Sequence, residues 1–161
     1  MADNRAFEVA APEVEAVFTR DGSVAALIEG HIRAAARSFD GALYRFNSQS
    51  LARALEAAAA RGVWLRLVID RNKYEESKAT QEMLARRRLR FRLAYGRSGR
   101  GSKMHHKFAI LDDAMVLTGS YNWTLGSEEQ NYENLVILRD PRQIEHYQRE
   151  FEMLWDGATE P

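Results

Sequence analysis

Apolar residues recur along the chain with two periods, one of two residues and one close to 3.6, and their alternation predicts the elements. Val14, Ala16 and Phe18 recur at every second position across residues 13–19, a short strand. Ser23 then stands in a capping position ahead of Val24, Leu27, Ile28, Ile32 and Ala35, which share one helical stripe. Residues 42–46 read as a strand, and Ser48 or Ser50 opens a helix through Leu51, Leu55 and Ala58 that stops at Gly62. Val63 to Ile69 is the clearest strand, and residues 75–87 favour helix by propensity. From 89 to 95, Leu89, Phe91 and Leu93 alternate with Arg88, Arg90 and Arg92, predicting an edge strand with a basic face. Two strand-forming runs, 108–111 and 115–118, bracket the polar turn Asp112-Asp113-Ala114 and predict a hairpin. A strand over 134–138 follows, then a helix opened by Pro141 with Ile144, Tyr147, Phe151 and Leu154 on one face. Strands alternating with helices predict an α/β fold, and the hairpin makes its sheet mixed, with helices on both faces.

At 161 residues the chain suits one domain, 1–161, large enough to bury a core without staples. No internal repeat, low-complexity segment or linker divides it. Cysteine is absent, which excludes a disulfide framework and a thiolate metal site. Residues 1–12 are polar, which predicts a flexible N-terminal tail, neither signal peptide nor membrane anchor, and a cytoplasmic location. Lys and Arg number 23, as do Asp and Glu, so net charge offers no argument for a polyanionic partner. Its distribution does. From Arg86 to Lys107 every charged side chain is basic, and the run leads straight to His105. Within it Gly96, Gly99 and Gly101 predict a loop too glycine-rich to hold its shape. Arg97, Arg100 and Lys103 on that loop are candidate substrate contacts, with an ordinary strand connection as the competing reading.

The candidate chemistry is concentrated between residues 105 and 122. His105-x-Lys107 is followed after four residues by Asp112, and Gly119-Ser120-Tyr121-Asn122 returns on the far side of the hairpin. From residue frequencies His-x-Lys-x4-Asp arises by chance in roughly one chain in a hundred of this length; adding Gly-Ser-x-Asn lowers that to roughly one in several hundred thousand. A histidine can be nucleophile or proton donor near neutral pH, a lysine and an asparagine can hold phosphate oxygens, and a serine can add a hydrogen bond. Strand alternation puts His105 and Lys107 on one side and His106 on the other, where a structural role is expected. Tyr121 and Trp123 are read as core. Asp112 and Asp113 point apart and suit a metal poorly, and no His-Glu-x-x-His helix is present, so no metal and no cofactor is expected.

These residues resemble the HKD motif of the phospholipase D superfamily, whose members cleave phosphodiesters in lipids or nucleic acids. The resemblance implies a phospholipase D-like sandwich, with Glu133 as the acid that supports the catalytic histidine and Asp112 and Gly119 as shaping residues of the motif. Superfamily chains with two motifs build one site from both; this chain has one, which implies a homodimer. The implied reaction is a two-step displacement through a phosphohistidine at His105, with Lys107, Asn122 and Ser120 around the phosphoryl group. With the basic run beside it, the expected activity is a metal-independent, sequence-nonspecific endonuclease on DNA and/or RNA. The rivals are a lipid phosphodiesterase of the phospholipase D or cardiolipin hydrolase type, and a nucleic-acid-binding module without turnover.

Overall fold

A computed structural model describes residues 11–161, so all but the last two residues of the expected tail at 1–12 lie outside the described residues. Seven strands form one sheet: β1 (Val14–Phe18), β2 (Ser38–Leu43), β3 (Trp64–Asp70), β4 (Phe91–Ala94), β5 (Lys107–Leu111), β6 (Met115–Gly119) and β7 (Asn134–Leu138). Their order is β1-β7-β6-β5-β2-β3-β4. The pairs β2–β3 and β3–β4 are parallel and the others antiparallel, the mixed sheet that the hairpin predicts.

Both faces are covered. On one lie α1 (Val24–Ala34), α2 (Gln49–Ala60) and α4 (Lys78–Arg87), whose Ile28, Ile32, Leu51, Leu55 and Leu84 join Phe39, Leu67 and Leu117 of the sheet in one core. On the other, α6 (Pro141–Gly157) sets Ile144, Phe151 and Trp155 against Val68, Phe108, Ile110 and Val116. Alternate residues of the central strands feed the two cores, which explains why β3 reads as a continuous apolar run. Strand β4 is an edge strand as expected.

Three elements depart from the sequence expectation. The strand expected at 42–46 is four residues earlier, because Asp40-Gly41, a turn signal by composition, sits inside β2. There Asp40 faces Arg66 across the β2–β3 ladder and is bound by it in a bidentate pair at 2.8 Å, which neutralises a nearly buried carboxylate. A substituent at Gly41 would approach Leu67 and Phe39 to 3.0 Å. The helix expected over 75–87 is two, α3 (Arg71–Glu76) and α4, divided at Ser77, whose hydroxyl accepts from Thr80 N. Thr80 Oγ1 in turn donates to the Phe46 carbonyl, tying α4 to the segment after β2. Finally α5 (Leu125–Glu129) is too short to announce itself by periodicity. It is held by Glu128, which accepts from Tyr121 Oη, Ser23 Oγ and Ala25 N at the start of α1.

The β5–β6 turn, Asp112-Asp113-Ala114, places Asp112 and Asp113 at positive φ and is closed by Ala114 N donating to the Leu111 carbonyl at 3.0 Å. It lies at the end of the sheet away from His105. The Asp112 carboxylate accepts from the N–H groups of Ala36, Arg37 and Ser38 at 2.7–3.2 Å, and the Arg37 guanidinium donates to its carbonyl. Asp112 thus ties the hairpin to the entry of β2, the shaping role expected of it. Partial burial raises its pKa, but the three N–H groups and Arg37 outweigh this and hold it below the ordinary 3.8. The stabilisation is present above that ordinary value and fades as pH falls through the lower folded one. Asp112→Ala is expected to cost about 1–2 kcal/mol and a few degrees of Tm at pH 7, with the difference shrinking below pH 4. An unchanged Tm would refute the tie.

Candidate active site

The antiparallel hairpins and the parallel strands bring the ends of six strands to one end of the sheet. Strands β2, β3 and β4 end there at Leu43, Asp70 and Ala94; β5 starts there opposite Leu43 at Lys107, and β6 ends there at Gly119 opposite Leu135 of β7. The residues just beyond these ends are therefore neighbours: Tyr44 after β2, His105 before β5, Ser120 and Asn122 after β6, and Glu133 before β7. Register alone explains why residues up to 89 positions apart in the chain share a site.

His105 is exposed, with its ring packed on Tyr44 at a centroid distance of 4.3 Å. Lys107 lies on the same side, its Nζ 3.3 Å from His105 Nδ1 and donating to the His105 carbonyl at 2.9 Å. The Lys107 ammonium is also 5.1 Å from the Tyr44 centroid. Partial burial, then Lys107 and Lys103, lower the His105 pKa below the ordinary 6.5, while Asp70 pulls the other way. The shift favours the neutral ring, whose free nitrogen is nucleophilic. Burial and Arg45 lower the Lys107 pKa as well, against an upward pull from Glu133.

Removing a neighbouring cation lets the imidazole keep its proton to higher pH. Lys103→Gln is therefore expected to move the acid limb of kcat/KM upward, from a wild-type position below 6.5. A limb that stays or moves down would show that Lys103 does not act on His105.

Two residues that periodicity did not single out complete the setting. Tyr44 is buried, and its backbone N–H donates to the His106 carbonyl at 2.8 Å, which fixes the backbone around His105. Asp70 is fully buried at the end of β3; one oxygen accepts from Lys73 N to cap α3 and the other from Met104 N at 2.8 Å. The only sequence signal for Asp70 is a carboxylate closing an apolar strand at a helix N-cap position.

On the β6–β7 side, Gly119 has φ +153°, and a β-carbon would stand 2.3 Å from the Asn134 carbonyl oxygen, so glycine is required there. Ser120 Oγ donates to Glu133 Oε2 at 2.5 Å and accepts from Asn134 N at 3.1 Å. Glu133 also accepts from Asn131 Nδ2 at 3.1 Å. The orienting bond expected from Glu133 to His105 does not form within one chain. Glu133 acts on the site through its charge on Lys107 and through Ser120. Asn122 Oδ1 is buried and has no hydrogen-bond partner among the described residues, so that oxygen is not used to hold the fold.

His106 turns away from His105, as alternation predicts, and meets Glu150 of α6 at 2.9 Å. Tyr121 and Trp123 are buried in the core, Trp123 edge-on to Phe39 and Phe46. Asp112 and Asp113 engage different partners, Asp113 accepting from Gln148 Nε2, and among the described residues no three His, Asp or Glu side chains are gathered to hold a metal.

The basic run is not one surface. Arg87 is paired with Glu56, and Arg90 and Arg92 lie over the Trp155 ring at 5.3 and 4.4 Å, toward the start of β4 and away from His105. These cations serve packing. Only the segment after β4 reaches the site, with Arg97, Arg100 and Lys103 exposed and without an acidic partner among the described residues. Nor is that segment shapeless. Gly96 N donates to Ser102 O, Gly99 N to Gly96 O and Ser102 N to Gly99 O, while Asn72 Nδ2 donates to Ser102 O at 3.0 Å. The glycines permit these turns: a β-carbon at Gly96 would meet the Lys103 backbone at 2.5 Å.

Among the described residues no helix is long and apolar enough to cross a membrane. A family profile described as "Cardiolipin synthase, PLD-like domain" matches residues 28–155. The mitochondrial cardiolipin hydrolase of Xenopus laevis is 38% identical over 122 residues, covering 76% of this chain and 56% of that protein. The chain thus spans about half the length of the curated relatives it matches. Among solved structures, the phospholipase D family member Nuc from Salmonella typhimurium superposes with a TM-score of 0.83 at 27% identity, covering 94% of this chain and 99% of that one. NucT from Helicobacter pylori shares the fold, with a TM-score of 0.81 at 23% identity over 92% of this chain and 100% of that one. The matched span contains most of both cores and every residue gathered at this end of the sheet, and the chain belongs to the phospholipase D-like family, in its branch with a single His-x-Lys motif.

Proposed function

We propose that the chain is a metal-independent phosphodiesterase that cleaves nucleic acid, DNA and/or RNA, without sequence specificity and as a homodimer. The observation that carries this is an exposed half-site at the rim of the sheet: one imidazole, His105, with the Lys107 ammonium 3.3 Å from its Nδ1. Displacement at phosphorus with a poor leaving oxygen needs a nucleophile and a proton donor. A single chain supplies one histidine in that position, so a second copy supplies the other. His105 of one copy forms the N–P bond as the P–O bond to the leaving group breaks, and His105 of the other delivers the proton to the departing oxygen. That second imidazole then takes a proton from water, whose oxygen displaces the histidine from phosphorus. The Lys107 and Asn122 pairs would balance and orient the phosphoryl oxygens.

Nucleic acid is favoured by Arg97, Arg100 and Lys103, exposed cations at the same end of the sheet as His105. A lipid phosphodiester is the second reading. It is supported by the cardiolipin hydrolase relatives and by a cleft of about 1090 Å³ bordered by Met104, Met153 and Leu154 and reaching His105. The deciding experiment assays the purified chain on single- and double-stranded DNA, RNA and cardiolipin vesicles, with and without excess chelator. Cleavage of nucleic acid that persists in chelator supports the proposal, and complete loss in chelator overturns the metal-independent route. Binding without turnover on any substrate would make the chain a nucleic-acid-binding module.

A further inference from the structure

A second cleft, of about 310 Å³, is bordered by Tyr44 but not by His105, and opens between the end of β2, α3 and α5. Its lining is polar and cationic, including Arg45, Asn47, Lys73, Tyr74 and Thr124. The Arg45 Cζ is 5.7 Å and the Lys73 Nζ 6.0 Å from the Tyr44 centroid. With the His105 ring 4.3 Å from that same centroid, the Arg45 guanidinium and the imidazole are separated by no more than about 10 Å. Arg45 is exposed and has no acidic partner among the described residues, while Lys73 is held by Glu76 at 2.5 Å. That pair is solvated on the Glu76 side, and such exposed pairs contribute little, so an incoming anion can displace the carboxylate.

We propose that this cleft is a subsite for the phosphate next to the scissile one in a polynucleotide strand, bound by Arg45 and Lys73, with the adjoining nucleoside against Tyr74. The inference rests on the phosphodiesterase reading of His105 and names which part of the substrate extends which way from it. Three features point to a polymer rather than an isolated phosphodiester. The Arg45 guanidinium and the Lys73 ammonium are set around Tyr44 within about 10 Å of the imidazole, a reach that takes in a neighbouring phosphate, since strand phosphates recur about every 3.4 Å of helical rise and open further when unstacked. A guanidinium with no internal partner can take a phosphate bidentately. The polar part of the lining, with the exposed Asn47 amide, suits sugar and base edges better than an acyl chain. Glu76 is then a competing anion that holds Lys73 in the free protein.

The test compares bis(p-nitrophenyl) phosphate, which has one phosphate, with a short single-stranded oligonucleotide. Arg45→Gln is expected to lower kcat/KM on the oligonucleotide about tenfold more than on the small substrate, mainly through KM. It should also reduce the slope of log binding constant against log salt by about 0.7, the mark of one lost phosphate contact on a single strand. Glu76→Gln should tighten oligonucleotide binding. Equal losses on both substrates would show that Arg45 acts through Tyr44 and His105, and an unchanged salt slope would overturn the subsite. An equally selective loss on cardiolipin vesicles would reassign it to a lipid phosphate. If no substrate is turned over, the phosphodiesterase reading fails, but the subsite is still decided by fluorescence anisotropy with the same oligonucleotide. Weaker binding in R45Q with tighter binding in E76Q upholds it, and any other pattern rejects it.

Discussion

His105→Ala is expected to lower hydrolysis of bis(p-nitrophenyl) phosphate by about 10⁴–10⁶-fold, the scale of losing a nucleophile in covalent catalysis. The loss should be in kcat, because Lys107 and Asn122, the proposed phosphate holders, remain. His105 is exposed and packs mainly on one face of Tyr44, so its truncation should change stability by about 0.5 kcal/mol or less. Unfolding curves therefore separate a chemical loss from a folding one. Oligonucleotide binding should persist, since Arg97, Arg100 and Lys103 do not depend on the imidazole for their position. Retained hydrolysis in a folded variant would remove His105 from the reaction.

The second large effect concerns assembly. If each site needs two copies of His105, wild-type chain mixed and re-equilibrated with His105→Ala chain should lose activity as the square of the wild-type fraction. An equal mixture would then show about a quarter of the activity of the same total of wild-type chain, because only wild-type pairs carry both the nucleophile and the proton donor. Specific activity should also fall on dilution as dimers dissociate, and sedimentation at the same concentrations reports the dimer directly. Activity strictly proportional to the wild-type fraction, or a fully active monomer, would refute the shared site even if His105 proved essential. Exposed apolar side chains near the site, Leu125 at 61% and Tyr132 at 92%, are surfaces that a second copy could cover.

The two readings of substrate differ in which side of His105 they use. Toward α6 the wall is partly apolar, with Met153 exposed and Leu154 beside it. Toward α3 it is cationic and hydroxylated. A phosphodiester at the imidazole would have one substituent on each side, and this is why Arg45→Gln and the lipid panel are informative together.

Much of the fold was legible from local chemistry. Stripes such as Val24, Ile28 and Ile32, the serines at 23 and 48 and the proline at 141 place helices with little outside help, because caps and periodicity are properties of short segments. The motif residues His105, Lys107, Ser120 and Asn122 were legible for a similar reason: a strand and a hairpin put them together at fixed offsets. What escaped were features that depend on partners far away in the chain. Asp40-Gly41 signals a turn until Arg66 across the ladder neutralises the aspartate and allows the strand through. Tyr44 and Asp70 look like a strand residue and a helix cap; only the parallel β2–β3 pairing and antiparallel β2–β5 pairing bring them to His105.

Charge showed the same division most clearly. The absence of acids from Arg86 to Lys107 is a fact of sequence, but a run of like charge says nothing about direction. Folding turns Arg90 and Arg92 onto Trp155, pairs Arg87 with Glu56, and leaves Arg97, Arg100 and Lys103 at the site end. It also adds Arg45 and Lys73, which no local pattern joins to the motif. Residue types and their spacing were enough to pick out His105, Lys107, Ser120 and Asn122 as one cluster, since they lie at the ends of adjoining strands. The path of the substrate depends on which cations remain unpaired once distant acids and aromatic rings have taken the others, and that is settled only when the sheet is assembled.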